Sequence, residues 1–489
     1  MSFAGVNNRY NSFQIDGAMN NDVFGLTTNG SNGGQAGTQP VSMETIDQIQ
    51  VSVAPFDVRQ SGFTGGSINA ITKSGTNDFH GSAYYYGYNQ NLIGKKYKMN
   101  DGNYSSKYQK EHEYQLGFTL GGPIIKDKLF FFANYEKADK SYPNNYGLGA
   151  TGSKVDGEEA TAILNKVKEL ASQQGVTYNG GFTNPDIYTK SDKAGVKLDW
   201  NVNDNNKFTF RWSLVNAKQL NSAGGISSLN TDDYSYDFKS LTNSFVGELQ
   251  SRFSESLANE LRASYVAVRD KRDPGSPFPM ITIYNVGNGT VNIGNERSSM
   301  ANSLDQNIYT IEDNLTWYKG NHTFTFGTHN EFYNFANLFI QDAYGSYYYN
   351  SYDDFMNGVI NRYRFGQANT DVTGDARWKA KFTAGQLGFY AQDKWDLVDN
   401  FQLTYGLRFD IPLFFDTPTA NEGFNKYAEE KGWGVKTDHK LSSSPLVSPR
   451  LGFRWDINND RKFILRGGVG IFITYKNNGT VTDGFECVF

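Results

Sequence analysis

Apolar and polar residues alternate along several stretches of this chain, and short turns rich in Asn, Asp or Gly join these stretches in pairs. The clearest pair flanks the turn at 201–207. Its apolar residues each lie two positions from the last: Ala194, Val196, Leu198 and Trp200 before the turn, then Phe208, Phe210, Trp212 and Leu214 after it. The interleaved residues are Lys197, Asp199, Thr209, Arg211 and Ser213. Because successive side chains of a strand point to opposite faces, the pattern predicts a β-hairpin with one apolar and one polar face.

The same unit recurs around the turns at 319–321, 397–400 and 457–461, and in weaker form around 254–256 and 123–128. A tryptophan stands just before each of the four stronger turns: Trp200, Trp317, Trp395 and Trp455. Aromatic rings collect at the level of lipid headgroups, so this row predicts an aromatic girdle beside the short turns.

Long segments without this alternation separate the hairpins, at 138–191, 217–242, 269–305, 334–384 and 411–446. Short turns on one side and long loops on the other are typical of outer-membrane barrels. A soluble β-sandwich also alternates, but its strands average about 5–6 residues, whereas these run nearer the ~9–11 that cross a bilayer at a tilt. The pattern therefore predicts an all-β fold, a transmembrane antiparallel β-barrel.

Composition supports a barrel and excludes several other classes. Aromatic residues make up 15% of the chain, yet no run of 18 or more apolar residues predicts a transmembrane helix. The single cysteine, Cys487, excludes an internal disulfide, and a net charge of −5 gives no nucleic-acid footprint. Residues 1–6 carry no readable signal peptide, and both ends of the sequence look cut.

Residues 1–78 are different in kind from the rest. A strand-like run at 43–53 precedes a glycine-rich segment at 60–77 that contains Gly62, Gly65 and Gly66. This stretch resembles the C-terminal half of the plug domain in TonB-dependent outer-membrane receptors. The resemblance is strongest to the Oar-like branch, which carries a carboxypeptidase-regulatory-like N-terminal domain.

The resemblance covers roughly residues 7–472. It rests on motifs such as Gln14-Ile-Asp-Gly17, Leu120-Gly-Gly-Pro-Ile-Ile125, Tyr390-Ala-Gln-Asp-Lys-Trp395 and Arg466-Gly-Gly-Val-Gly-Ile-Phe472. It implies the C-terminal part of a plug at 1–78 and the N-terminal part of a barrel at 79–489. We count about thirteen barrel strands, of a probable 22 or so in plugged transporters.

The resemblance also implies a function, the active transport of a nutrient across the outer membrane. An inner-membrane complex of TonB, ExbB and ExbD would supply the energy, acting on the plug through a segment that this sequence lacks. Outer-membrane lipid and an unknown nutrient ligand are the other implied partners. Arg59, Gly62, Gly65 and Gly66 are the candidate plug residues that contact the inner wall, although the glycines could merely let a plug strand turn.

Other motifs give no case for catalysis, a cofactor or a metal. The G-x-G-x-x-G match at 147–152 lacks the preceding strand of a dinucleotide site, so a loop with a helix near 158–173 is favoured. His322 and His329 lie seven apart and so face opposite sides of one strand, which favours scattered surface histidines. The paired acids at 353–354 and 429–430 are best interpreted as solvated loop residues.

Two functions from other classes remain open. One is a passive porin or structural barrel, disfavoured because residues 1–78 look like a plug. The other is a secreted β-rich carbohydrate-binding or adhesive protein, suggested by the tyrosines of 344–349, since exposed tyrosines stack well on sugars. The ligand stays open among peptide, glycan and metal chelate.

Overall fold

The computed structural model describes residues 3, 5, 7–53, 56–63, 65–93, 98, 109–275, 277–441, 443–476 and 480–488. Within them the chain forms three β-sheets, which we call the inner sheet, the wall and the cap sheet. Four α-helices lie in the loops: α1 Gly157–Gln173, α2 Tyr352–Met356, α3 Thr370–Thr373 and α4 Glu422–Glu430.

The strands follow one another along the chain in this order. The first twelve are β1 Ser12–Ile15, β2 Ala18–Met19, β3 Ile46–Val53, β4 Gly66–Thr72, β5 His80–Asn89, β6 His112–Ile125, β7 Leu129–Tyr142, β8 Ile187–Asn203, β9 Asn206–Asn221, β10 Ser228–Asn230, β11 Tyr236–Arg252 and β12 Leu257–Pro274. The others are β13 Met280–Val286, β14 Gly289–Ile293, β15 Asn302–Lys319, β16 His322–Phe339, β17 Ser346–Tyr349, β18 Arg362–Arg364, β19 Ala380–Val398, β20 Phe401–Phe414, β21 Leu446–Asp456, β22 Ile464–Lys476 and β23 Thr480–Val488.

The inner sheet contains β1–β4 in the order β2-β1-β4-β3. Its two central strands, β1 and β4, are parallel, and the other pairs are antiparallel. The sheet lies within residues 12–72, and the first strand of the wall begins at His80.

The wall is an antiparallel sheet whose fourteen described strands run in chain order from β5 to β23, skipping only the cap strands. No pairing between β5 and β23 closes it among the described residues. The sequence predicted about thirteen strands, close to the fourteen described strands.

The central wall strands are longer than the predicted ~9–11 residues. Seven of them have 16 to 19 residues. The alternation that marks a membrane strand stops where the outward face becomes polar, although backbone pairing continues. The predicted loops were therefore too long, because they included the ends of the wall strands.

The wall buries polar side chains on one face and exposes large apolar side chains on the other, which is the reverse of a soluble protein. On β8 the buried side chains are polar, among them Ser191, Lys193, Lys197 and Asp199. Large apolar side chains are exposed on the opposite face all along the wall, including Phe118, Trp200, Ile311, Phe389 and Leu451. An apolar outer band around a polar interior is the arrangement of an outer-membrane barrel, and it disfavours the soluble sandwich.

The cap sheet, β10-β14-β13-β17-β18, joins segments of three long loops that the sequence analysis treated as irregular. Helix α1 from a fourth loop packs on it, and Ile163, Val167, Ile283 and Ile293 lie in the shared core. The helix predicted near 158–173 is confirmed, and Asp156 caps its N-terminus by accepting from the Glu158 and Glu159 amides. Each strand is too short to be recognised alone, because its pairing partner comes from another loop.

The tyrosines of 344–349 belong to the cap and are not exposed. Tyr348 is buried, with the Arg362 guanidinium 4.1 Å from the centre of its ring, and the other three are half-buried. The premise of the adhesive alternative, exposed tyrosines, is therefore wrong. None of the helices in the described part of the chain is long and apolar enough to cross a membrane.

The facing of the strands can be tested on β9. Thr209 points inward, where its hydroxyl donates to Asp199 at 3.1 Å, and Phe210 points outward. Phe210 is the first outward position inside the girdle pair Trp200–Phe208. Arginine there should therefore cost between the ~0–1 kcal/mol of unfolding free energy typical of the interface and the ~2–4 kcal/mol of the midplane, and Thr209→Arg less. Denaturant titration of both variants in lipid vesicles measures the two costs; equal costs or the reverse order would show that the register is wrong.

Candidate functional site

The inner sheet meets the polar face of the wall at the carboxylate of Asp16, whose side chain is 16% exposed. This residue occupies the tight turn between β1 and β2, with φ at 49°. Because β1 runs parallel to β4, the turn lies beside the end of β4, and Thr72 donates to Asp16 from its amide and its hydroxyl, both at 2.7 Å. Two wall cations approach the same carboxylate: Arg211 Nη1 at 3.1 Å and Lys197 Nζ at 3.7 Å.

We call Asp16, Thr72, Lys197 and Arg211 the Asp16 cluster. Lys197 also donates to the carbonyl of Thr72 at 3.1 Å, so it contacts both Asp16 and Thr72 of the inner sheet. Burial raises the pKa of Asp16, but the charges of Arg211 and Lys197 and the hydrogen bonds from Thr72 outweigh it and hold the pKa below its usual value. The carboxylate is therefore charged at neutral pH and pairs with the two cations.

A second contact joins the segment at 56–63 to β19, β20 and β21. Arg408, fully buried and held by Asp410 at 2.9 Å, donates to the carbonyl of Val58 at 3.2 Å. Arg450 donates to the carbonyls of Asp57 and Gln60 at 2.6 and 2.8 Å. These wall arginines bind backbone oxygens, so the contact depends on the path of the segment more than on its side chains.

Wall glycines make room for two apolar side chains of this segment. A Cβ added at Gly406 would lie 2.7 Å from Val58 Cγ1, and one at Gly452 would lie 3.0 Å from the ring of Phe56. Phe56 and Phe63 each pack on the ring of Phe472. The close steric fit between the two sheets thus depends on glycines of the wall.

The sequence-predicted plug residues occupy mixed positions. Arg59 pairs with Asp57 of its own segment at 2.6 Å and lines a cavity of about 920 Å³ at the short-turn end, facing wall residues such as Glu260. At Gly62 and Gly66, added Cβ atoms would meet Met19 and Ser52 of the inner sheet. Gly65 is buried beside them.

A network of charged side chains extends the site along the interior. Arg262 reaches Glu248 and Glu260 at 2.7 Å and Glu312 at 3.4 Å, and its Nη1 lies 3.5 Å from the carbonyl of Gly17. His329 is buried between Glu312 and Glu331, so the interpretation as a surface histidine was wrong for this residue.

His322 lies on the opposite face of β16, stacked on Trp395 with 5.1 Å between ring centres, which confirms the predicted facing. No group of three or more potential metal ligands occurs in the described part of the chain. The four tryptophans all lie on the outward face at the short-turn end, where Trp200 pairs with Phe208, Trp317 with Phe324 and Trp455 with Phe401.

A cavity of about 710 Å³ opens at the long-loop end, between the inner-sheet residues 37–39 and the wall. Its inward-facing lining includes Lys140, Thr189, Lys193 and Gln219. Below it, Ser42 of the inner sheet donates to Glu136 at 2.6 Å, and Lys193 donates to the same carboxylate at 2.8 Å. A polar ligand entering from the loops would therefore meet both sheets at once.

Sequence reasoning listed Lys197 and Arg211 only as polar positions of a hairpin, and it did not single out Asp16, Arg408 or Arg450. The available signal was a basic residue at an inward position of a membrane strand, since such a charge needs a buried partner. The alternation shows that these residues point inward, but it does not identify their partners. Arg211 and Asp16, for example, are 195 residues apart in the sequence.

Comparison with known proteins adds a family and several relatives. A family model described as an outer membrane beta barrel domain matches residues 71–151 and 144–486. The chain is 30% identical over 164 residues to the TonB-dependent transporter Oar of Myxococcus xanthus, covering 33% of this chain and 14% of that protein. It is 30% identical over 138 residues to the probable TonB-dependent siderophore receptor PirA of Acinetobacter baumannii, covering 27% and 16%.

Among solved structures, the outer membrane transporter YddB from Escherichia coli has a similar fold, with a TM-score of 0.62 at 12% identity. That alignment covers 97% of this chain and 55% of YddB. The chain thus spans about half the length of this structure, and it matches only a small part of Oar or PirA.

The Asp16 cluster leads to a stability prediction. Asp16→Asn removes the anion that neutralises buried Arg211, and breaking a buried pair typically costs about 3–5 kcal/mol. The folded-state pKa is lowered, so this stabilisation is complete at neutral pH and is lost as the pH falls through that pKa. Hydrogen exchange at β1 and β4 measures the loosening. Asp47→Asn, in exposed β3 of the same sheet, is the control; equal protection of β1 and β4 in both variants would contradict the role of Asp16.

The glycine contact leads to a second prediction, which includes a rescue. Gly452→Val should push against Phe56 and cost about 1–3 kcal/mol, as overpacking of a filled site does. Adding Phe56→Ala should recover part of that loss, because the obstructing ring is gone. Thermal unfolding of the two single variants and the double variant gives the coupling free energy. Additive costs would mean that the residues do not touch.

Proposed function

Because the chain belongs to the outer membrane beta barrel domain family, we propose that it works as part of a TonB-dependent transporter that carries a scarce nutrient across the outer membrane. Residues 1–78 are the C-terminal part of its plug and 79–489 part of its barrel. The 30% identity to Oar supports a place in the Oar-like branch. The relatives are named as transporters and receptors, and the proposal includes no catalytic step.

The observation that carries this proposal is the seating of the inner sheet on the polar face of the wall. A barrel wide enough for a nutrient would leak unless a folded element filled it. The Asp16 cluster, Arg408 and Arg450 hold that element by hydrogen bonds and ion pairs. Its apolar contacts include Phe56 and Phe63 on Phe472, Phe24 on Phe335, and Ala36 on Phe238. Water can replace the polar contacts when the plug is pulled, whereas the apolar contacts add to the work required.

The energy source in this proposal is the complex of TonB, ExbB and ExbD, acting on the plug from the short-turn end. Arg59 and Gly62, Gly65 and Gly66 belong to the part of the plug that would transmit the movement to the wall. Trp200, Trp317, Trp395 and Trp455 form the aromatic girdle at the inner lipid boundary. The nutrient enters the cavity of about 710 Å³ at the long-loop end, which is within the range of small-molecule sites.

Removal of the inner sheet tests this function without knowledge of the nutrient. Deleting residues 7–73 from the protein produced from its own gene should leave an inserted wall, whose strands hydrogen-bond to one another and not to β1–β4. Potassium chloride should then pass through the unblocked lumen, giving large single-channel conductance in planar bilayers where the parent stays closed.

Deletion of residues 418–440, an exposed loop that contains α4, is the matched control and should leave the protein closed. Detergent extraction and heat-modifiable migration confirm insertion of each variant. A passive porin would conduct equally with and without residues 7–73. A variant that inserts but conducts no better than its parent would refute the plug assignment.

A further inference from the structure

Four lysines form a continuous row across four neighbouring wall strands. Lys190 of β8 lies directly opposite Lys218 of β9, Lys218 opposite Lys239 of β11, and Lys239 opposite Lys271 of β12. Like charges directly opposite each other destabilise a sheet. Three consecutive pairs of this kind, which we call the lysine row, therefore indicate a role outside sheet stability.

The lysine row lies on the outward face of the wall. The residue next to each lysine points inward and is buried: Ser191, Ala217, Ser240 and Asp270. The lysine side chains themselves are 39% to 54% exposed. The four ammonium groups are therefore presented to the surroundings of the wall and not to its lumen.

The height of Lys190 matches the upper boundary of the lipid. On β8, Lys190 precedes Trp200 of the short-turn girdle by ten residues, and every second residue from Ala194 to Leu198 is apolar. At about 3.4 Å per residue and a tilt near 40°, ten residues rise about 26 Å, close to the ~25 Å of an outer-membrane apolar band. Lys190 is therefore near headgroup level on the side of the long loops. Because directly opposite residues climb across tilted strands, Lys271 lies higher, fourteen residues from the girdle pair Leu257–Trp317.

Three acids of the protein pair with the four lysines, so they neutralise the row only in part. Asp139, directly opposite Lys190, lies 3.2 Å from it, and Asp237 lies 3.9 Å from Lys218. Asp273 pairs with Lys239 and lies 3.8 Å from Lys271. Asp139 and Asp237 are 11% and 21% exposed, less than the lysines with which they pair. The ring of Tyr188 supports Lys190 and Lys218 at 5.3 and 5.1 Å from its centre.

The geometry points to a binding site for a phosphate-bearing lipid headgroup of the outer leaflet, with the lysine row as its cation surface. On β11 the outward residue directly below the row is Leu241, which is 37% exposed. On β8, β9 and β12 that position is polar, and the apolar residues begin one outward position lower, at Ala194, Leu214 and Ala267. A lipid satisfies both surfaces, since its phosphate meets the ammonium groups while its acyl chains cover the apolar band. A free phosphate ion would leave the apolar surface unused.

This inference depends on the membrane placement of the wall and not on transport. Lipid binding can therefore fail while the conductance test succeeds, and the reverse. The lipid also has a structural consequence: its phosphates would relieve the repulsion between the lysines of four neighbouring strands.

The test compares lipid binding by the detergent-purified parent and by the variant in which all four lysines of the row become Gln. Native mass spectrometry with added diphosphoryl lipid A, or the same lipid enzymatically dephosphorylated, gives the two affinities. The parent should prefer the phosphorylated form by about tenfold or more, and the variant should lose that preference. The pair variant K218Q/K239Q, with a smaller loss, replaces it if migration on gels shows that the quadruple variant does not fold.

Lys168, Lys426, Lys436 and Lys440, changed together to Gln, are the control, because they remove the same charge from the loops. This control should keep the parent's preference. Equal preference in the row variant and the parent would overturn the proposal, and so would equal binding of both lipid forms by the parent. Displacement of the lipid by equimolar inorganic phosphate would show a free-anion site and would also overturn it.

Discussion

Every second side chain of a wall strand points into the interior, and a large share of these inward side chains is polar or charged. The rest of the structure depends on this constraint, because a charge removed from water needs a partner. The outward face carries the exposed apolar residues, and the interior holds a small apolar cluster, in which Phe24 packs against Ile308 and Phe335. Backbone pairing between strands and paired charges inside therefore supply much of the cohesion.

The inward charges are satisfied in two ways. Some find partners on the wall itself, as Arg408 does with Asp410 and His329 with Glu312 and Glu331. Others, such as Arg211 and Lys197, reach a carboxylate that the inner sheet supplies. The first group fixes the wall, and the second ties a separate sheet to it, together with the apolar contacts of Phe24, Phe56 and Phe63.

The long loops form an ordered structure of their own, the cap. Loops of this length would be expected to remain irregular, yet three of them contribute strands to one sheet, which packs on a helix from a fourth. That core is apolar and resembles a small soluble domain, in contrast to the wall below it. The cap therefore restrains the loops above the cavity that we propose for the nutrient. Between cap and apolar band, the wall strands change their outward residues from apolar to charged, and the lysine row marks this change.

Much of the fold could be predicted from the sequence, because the alternation of residues such as Val196, Lys197 and Leu198 is local. It determined the strands, their two faces, the short turns beside the tryptophans and the opposite facing of His322 and His329. The alternation could not identify the long-range partners of these residues. Asp16 with Arg211, Val58 with Gly406, and the short cap strands with one another are distant in sequence, and nothing in a local pattern specifies which distant residue an inward charge or a glycine will meet. Sheet order and the stacking of one sheet inside another decide those contacts, so only the tertiary structure could reveal them.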